Sequence, residues 1–368
     1  MAERILTLGE LNRSTLARQM LLQREEMPAL DALKQLIALQ AQLPNPPYIG
    51  LWTRLHSFER AELVHLLESR QAVRATIMRA TLQLLAAEDY LLLRSALQPA
   101  LTRSLSAFFG KQAQQLPIDQ FMRAACDYIQ ERPRTFVEIR AQLTELFPGV
   151  DPALLAYAVR MHLPLVQLPQ GGFWDFTGSP TMTLAPTWLE RPLADAEEGL
   201  RSLVMRYLAA YGPATVKDLQ SWSGLTGLKD VVKAYKPALR TFRDEQGNEL
   251  LDLIDAPILD ASTPAPPRFL PEFDNLLLAH ADRRRIIADE YRASVFLTVG
   301  RVRATFLIDG FVGGTWKVEQ ARKTARLIIE PFKPLATSMR AELVEEGERL
   351  LRWIYNDAEA FEIHVVEM

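Results

Sequence analysis

Tyr211-Gly212-Pro213-Ala214-Thr215-Val216-Lys217-Asp218-Leu219-Gln220-Ser221-Trp222-Ser223-Gly224 is the stretch whose reading decides the fold. It joins a helical run from Glu198 to Ala210 to a second from Thr215 to Trp222 across a Gly-Pro break, and Gly224 turns the chain into a third near Leu228 to Tyr235. Apolar side chains recur at helical spacing in each run, and Gly and Pro sit where the ladder must stop. The third run ends at Pro237 and gives way to Leu239 to Arg243, a polar turn at Gln246-Gly247-Asn248, and a strand from Leu250 to Ile254. Three helices and a hairpin make a helix-turn-helix with a wing.

The same order is read twice upstream, as a repeat of architecture without a fixed residue period. Residues 8 to 42 hold two helices, with apolar positions at Leu8, Leu11, Leu16 and Met20 and then Leu30, Leu33, Leu36 and Ile37. A helix over 58 to 69, an extended segment at Val73, Thr76 and Ile77, and an apolar helix near 84 to 97 complete that unit. The second unit has a helix from Ile118 to Gln130, a shorter one after Pro133, another from Asp151 to Met161, then Leu165 to Leu168 and a turn at Gly171-Gly172 leading to Phe173-Trp174. The boundaries expected are 1–110, 111–190 and 191–256. Past the stiff connector Pro257 to Pro267, alternation predicts strands at Ser294 to Val299, Arg303 to Ile308 and Arg326 to Ile329, a helix from Leu335 to Tyr355, and a last strand from Glu362 to Val366. Residues 257–368 are thus expected to form a β-rich, barrel-like module with one long helix, and the fold class is α+β.

Composition narrows the chemistry. An apolar fraction of 48% over 368 residues suffices for several cores. No stretch of about 18 uncharged apolar residues occurs, which excludes a spanning helix and makes the cytoplasm the expected compartment. The net charge of −3 rules out a chain coated in positive charge, but binding nucleic acid needs only a local basic face. The lone Cys126 has no disulfide partner and reads as a small core residue. His56, His65, His162, His280 and His364 lack metal-ligand spacing. No phosphate-binding Gly-rich loop and no serine nucleophile elbow occurs.

What remains is Gln40-Ala41-Gln42. Side chains two apart share a face only in extended backbone, so the amides converge if the helix ends near Leu39. Pro44, Pro46 and Pro47 are expected to supply that ending. Two converging amides, facing one cavity, hold a water or read a base edge; the plain alternative is a solvated helix terminus.

Around this motif, Leu36 to Pro44, Gly50-Leu51-Trp52-Thr53-Arg54, Arg79-Ala80-Thr81-Leu82 with Asp89-Tyr90, Leu270-Pro271-Glu272-Phe273-Asp274-Asn275 with Arg283, and Asp309-Gly310 through Gly314-Thr315-Trp316-Lys317 together resemble the AlkZ family of winged-helix DNA glycosylases along almost the whole chain. The resemblance implies a monofunctional enzyme, without metal or cofactor, in which Gln40 and Gln42 are catalytic in removing 7-alkylguanine. A sister branch carries aspartate at the second position, so Gln42 points to the glutamine branch and to cationic, bulky or crosslinked adducts. Where the family pattern has a histidine after Arg-x-Thr-Leu, this chain has Gln83. The partner implied is double-stranded DNA containing alkylated bases, bound by a monomer that is nucleoid-associated when so engaged.

An amide is too weak a base to deprotonate water, so such a site needs a primed substrate. A ring-alkylated guanine is cationic and departs neutral, which leaves the protein to place a water and aim carbonyl dipoles at the positive charge growing on the sugar. Arg54, Arg79, Arg283, Arg284, Arg285 and Lys317 are the candidate DNA contacts; the plain reading pairs such arginines with Asp282, Asp289 or Glu290. Trp52 and Trp316 either stack on a base or fill the core, Asp274 caps the following helix or orients a water, and Lys229 is a phosphate contact or a solvated residue rather than a nucleophile. The rival reading is a non-catalytic winged-helix DNA-binding or regulatory protein.

Overall fold

Capping residues explain where the helices of the third unit begin. In the computed structural model, which describes residues 4–114 and 116–367, the Asp195 carboxylate accepts from the amides of Glu197 and Glu198 and opens the helix Ala196–Tyr211. Thr215 and Asp218 form a reciprocal capping box that opens Val216–Ser223. Gly224, at φ +80°, ends that helix in the left-handed conformation. The helix Leu228–Tyr235 and the antiparallel strands Leu239–Asp244 and Glu249–Leu253 follow. One strand was not expected: Ile5–Leu6 pairs in parallel with Leu239–Asp244 and makes the hairpin a three-stranded sheet.

The first two units do not keep separate sheets. Leu39–Gln40, Leu82–Ala86, Ala72–Thr76, Leu165–Gln167, Thr181–Leu184 and Arg134–Thr135 lie side by side, in that order, in one six-stranded antiparallel sheet. Ala75 opposite Val166 is the junction between them. Residues 82–86 form a strand and the long helix runs from Ala87 to Phe109; the short apolar run Leu82 to Ala86 suits a buried strand as well as a helix, and strand pairing decides. Likewise Phe173-Trp174 lies outside any strand, and Thr181–Leu184 takes the place beside Leu165–Gln167.

Beyond the proline connector, Arg268–Leu270, Thr305–Ile308, Phe311–Ala321, Thr324–Pro331 and Ala360–Val365 form a five-stranded sheet in chain order. The two ends of that order are not paired with each other, so the sheet is open and the barrel-like expectation is corrected. The strand expected at 294–299 is also corrected, since Arg292–Val295 is a short helix. The helix Thr337–Ile354 crosses the sheet at Gly347, where a Cβ would come within 2.7 Å of Leu327 Cδ2.

Two cores meet at the glutamine motif. One joins Leu33, Tyr48, Trp52 and Leu63 to Phe269, Phe306, Trp316, Leu327 and Leu350, uniting the N-terminal and C-terminal parts. The other joins Val73, Tyr90 and Leu97 to Tyr207, Tyr211 and Trp222. Leu36, Leu39 and Ala41 belong to the first core, Ile37 and Ala38 to the second. The segment that carries the glutamines therefore runs along the seam between them. No helix among the described residues is long and apolar enough to cross a membrane.

Candidate active site

The helix Ala29–Leu36 ends at Ile37, whose φ of +67° is one that a β-branched residue rarely takes. That end lies earlier than Leu39. Pro46 and Pro47 play the opposite part from the one expected: they occupy the first turn of the next helix, Pro46–Trp52, where a missing amide proton costs nothing. Between the helices Leu39–Gln40 is extended, with Gln40 opposite Gln83 in the ladder, and residues 42–45 bend.

Several groups fix the backbone of the motif. The Ala41 amide donates to the Leu82 carbonyl at 2.8 Å. From the neighbouring strand Ala72–Thr76, the buried Arg74 donates through Nε to the Ala41 carbonyl at 2.8 Å and through Nη2 to the Gln42 carbonyl at 3.3 Å. Burial pulls the Arg74 guanidinium down to about 10, so it stays charged at neutral pH. Asn275, from the far part of the chain, donates through Nδ2 to the Ala38 carbonyl at 2.8 Å.

The side chains are held as closely. Gln40 is 7% exposed, and its Oε1 accepts from Arg79 Nη2 at 3.1 Å. The same nitrogen donates to Asn275 Oδ1 at 3.1 Å, while Arg79 Nη1 donates to the Trp222 carbonyl at 2.7 Å. Gln42 is exposed, and its Oε1 accepts from the Leu82 amide at 3.2 Å. Gln83 is fully buried, with Nε2 donating to Thr81 Oγ1 at 2.7 Å and Oε1 facing Asn275 Nδ2 at 3.4 Å. Both glutamines of the motif are thus tied to one short segment, Arg79 to Leu82. They line neither of two cavities, of about 1070 and 630 Å³, that open near Lys229 and Phe311 respectively. Burial first, and then the positive charge of Arg283, pull the Arg79 guanidinium down to about 10 against the opposing pull of Tyr211.

The candidate DNA contacts separate. Arg54 and Arg285 are interior residues, which corrects their assignment to a phosphate channel. Arg54 forms a bidentate pair with Asp274 at 2.9 Å and 2.9 Å, both side chains fully buried, and also donates to the carbonyls of Gly50 and Gln19. Arg285 donates to the Pro213 carbonyl at 2.9 Å beside Thr15. Arg79 reaches the motif and is spent on protein acceptors. Arg283 is half-buried, its guanidinium 4.2 Å over the Phe296 ring. Arg284 pairs with Asp282, and Lys317 pairs with Glu319 at 2.7 Å on the surface. Trp52 and Trp316 fill the core, the latter donating to the carbonyls of Leu270 and Thr305. Asp274 caps the turn Asn275–Leu277. Lys229 lines the larger cavity with Lys217 and Lys233.

Sequence reasoning assigned no role to Arg74 or Asn275. Asn275 carried a signal, since it ends one of the family-like stretches; Arg74 is an arginine inside an apolar strand, and its only sign is that improbable setting. Among the described residues no group of three or more His, Cys, Asp or Glu is placed to hold a metal ion.

The family model described as DNA glycosylase AlkZ-like matches residues 33–353. An "Interstrand DNA cross-link repair glycosylase" of Streptomyces sahachiroi is 25% identical over 343 residues, covering 86% of this chain and 88% of that protein. The solved structure of Streptomyces sahachiroi DNA glycosylase AlkZ is similar with a TM-score of 0.79, over 98% of this chain and 100% of that one. At 17% identity that likeness speaks for the fold alone.

Proposed function

From the premise that this chain belongs to the AlkZ-like DNA glycosylase family, and so is an enzyme that hydrolyses N-glycosidic bonds, we propose that Gln40 and Gln42 are its catalytic pair and 7-alkylguanine its substrate. The observation that carries this is the tethering of both amides to one segment at the seam of two cores. Each amide oxygen has two lone pairs and spends one on the protein. The other is left for a water or for the cationic sugar. Neither amide removes a proton outright, so the rate gain comes from placing the water and from dipoles aimed at the developing positive charge. A neutral departing base suits that chemistry, because it needs no acid.

The relative's name supports extending the range to crosslinked adducts, and Gln42 is exposed, as contact with a bulky one requires. Residues 1–110, 111–190 and 191–256 act in this reading as three winged-helix units against the duplex, with 257–368 closing the site from behind. Arg283, Arg284 and Lys317 are the cations left to meet phosphate.

The test is release of 7-methylguanine from methylated duplex DNA. Gln40→Ala and Gln42→Ala are expected to slow release tenfold or more, equivalent to about 1.4 kcal/mol of transition-state stabilisation, with DNA affinity kept. Parental rates in both variants would refute the glutamine mechanism. DNA binding with no release by the parent would turn the reading to a binding protein.

A further inference from the structure

We propose that Arg79 and Asn275 are positioning residues for the reaction: together they fix the orientation of the Gln40 amide and hold its oxygen in place. The proposal rests on the glutamine reading above and deepens it. A glutamine side chain presents either its oxygen or its NH2 group after a half-turn of the amide, and nothing in the residue itself chooses. Here the choice is made by a cation. Arg79 Nη2 sits 3.1 Å from Gln40 Oε1, and a guanidinium donates without ever accepting, so the oxygen is pinned at the Arg79 side and keeps its second lone pair for the water.

Arg79 is itself held on three sides. Nη1 donates to the Trp222 carbonyl, Nη2 is shared with Asn275 Oδ1, and its backbone at φ +54° is kept in the left-handed region with Gly224 packed against it. A Cβ on Gly224 would come within 3.3 Å of both the Arg79 amide nitrogen and its Cα. Asn275 is fixed in turn, because Asp274 before it is clamped by the buried Arg54 and Nδ2 holds the Ala38 carbonyl just ahead of the motif. The C-terminal part of the chain therefore completes the site through one amide. A backbone strained away from its preferred region is kept only where surrounding structure over-determines it, and here three elements converge on Arg79.

A double-mutant cycle on single-turnover excision of 7-methylguanine from methylated duplex DNA tests this, using the full chain, with DNA affinity and melting temperature read on every variant. Arg79→Ala and Asn275→Ala are each expected to lower the rate at saturating protein by about tenfold while DNA affinity changes less than about twofold. In a Gln40→Ala background the further loss from Arg79→Ala should shrink to less than about threefold, since the partner it orients is gone. Arg79→Lys, which keeps the charge but cannot bond two acceptors and a carbonyl in one plane, should recover little. If Gln40→Ala slows excision but Arg79→Ala and Asn275→Ala do not, or if the losses multiply independently, the positioning role is overturned while the glutamine reading stands. If Gln40→Ala itself has the parental rate, the glutamine reading falls first. Should Arg79→Ala not fold, Asn275→Ala with Arg79→Lys carries the same cycle.

Discussion

Replacing Arg54 by alanine should destabilise the fold without touching DNA electrostatics. The side chains of Arg54 and Asp274 are both 0% exposed and meet through two bonds of 2.9 Å. Arg54 also satisfies the carbonyls of Gly50 at 2.9 Å and Gln19 at 3.1 Å. Truncation leaves the Asp274 carboxylate buried with only the Leu276 amide as partner, and breaking a buried pair in this way costs about 3–5 kcal/mol. Against a whole-protein stability of about 5–15 kcal/mol, that is a large share. Urea unfolding followed by intrinsic fluorescence should show a lower midpoint at similar slope, and Arg54→Met with Asp274→Leu should recover much of the loss, because paired apolar replacement removes the unpaired charge. DNA binding at a temperature where the variant is folded should keep its salt dependence. Had Arg54 neutralised a phosphate, its removal would lower the slope of log affinity against log salt by about 0.9. A variant of parental stability with a reduced salt slope would refute the burial argument outright.

Arg283→Ala is expected to show the reverse pattern, with near-parental stability and a salt slope reduced by about 0.9 for each phosphate no longer neutralised; an unchanged slope would remove Arg283 from the DNA interface. Excision of 7-methylguanine by the Gln40, Gln42 and Arg79 variants tests the site itself. A pH dependence follows from His280, fully buried, whose Nε2 lies 3.0 Å from the Tyr211 carbonyl while Nδ1 is buried without a partner. Burial, with Arg285 adding and Asp218 opposing, pulls its pKa down to about 3. The unfolded chain takes up that proton near 6.5 and the folded one does not, so stability present above the unfolded value is lost as pH falls toward about 3, by at most about 1.4 kcal/mol per pH unit. His280→Gln should flatten that part of the profile between pH 7 and 4; an unaltered slope in the variant would assign the acid loss to other groups.

Local signals in the sequence were sufficient for most helices and insufficient for almost every strand partnership. The helices Ile118–Glu131, Pro152–His162 and Ala196–Tyr211 lie within a residue or two of expectation, because a cap and an apolar period act over one or two turns. Strand partners are chosen across the chain. Nothing near Val166 announces that it will sit opposite Ala75, nor does Ile5–Leu6 announce the strand Leu239–Asp244. The proline run misled for a related reason: Pro46 and Pro47 are equally compatible with ending one helix and with starting another, and only the positive φ of Ile37 before them settles which.

The same division runs through the candidate site. Residue type singled out Gln40 and Gln42 as candidates, since two uncharged amides in that setting answer few structural needs. Arginine type could not separate Arg54, Arg79 and Arg283, which look alike in sequence and occupy an interior pair, a site scaffold and a half-buried stack on Phe296. This distribution has a physical rationale. An uncharged amide has no strong field of its own to fix its orientation, so a site made of glutamines depends on donors that cannot reverse their polarity. Guanidinium groups at Arg74 and Arg79 meet that need, one on the backbone carbonyls of the motif and one on the Gln40 oxygen. Such cations must be buried to be rigid, and burying them requires carbonyl acceptors from several elements at once. The seam between two cores, where Gln42, Gly171 and Trp222 all bring carbonyls within reach, is where a chain of this architecture can supply them.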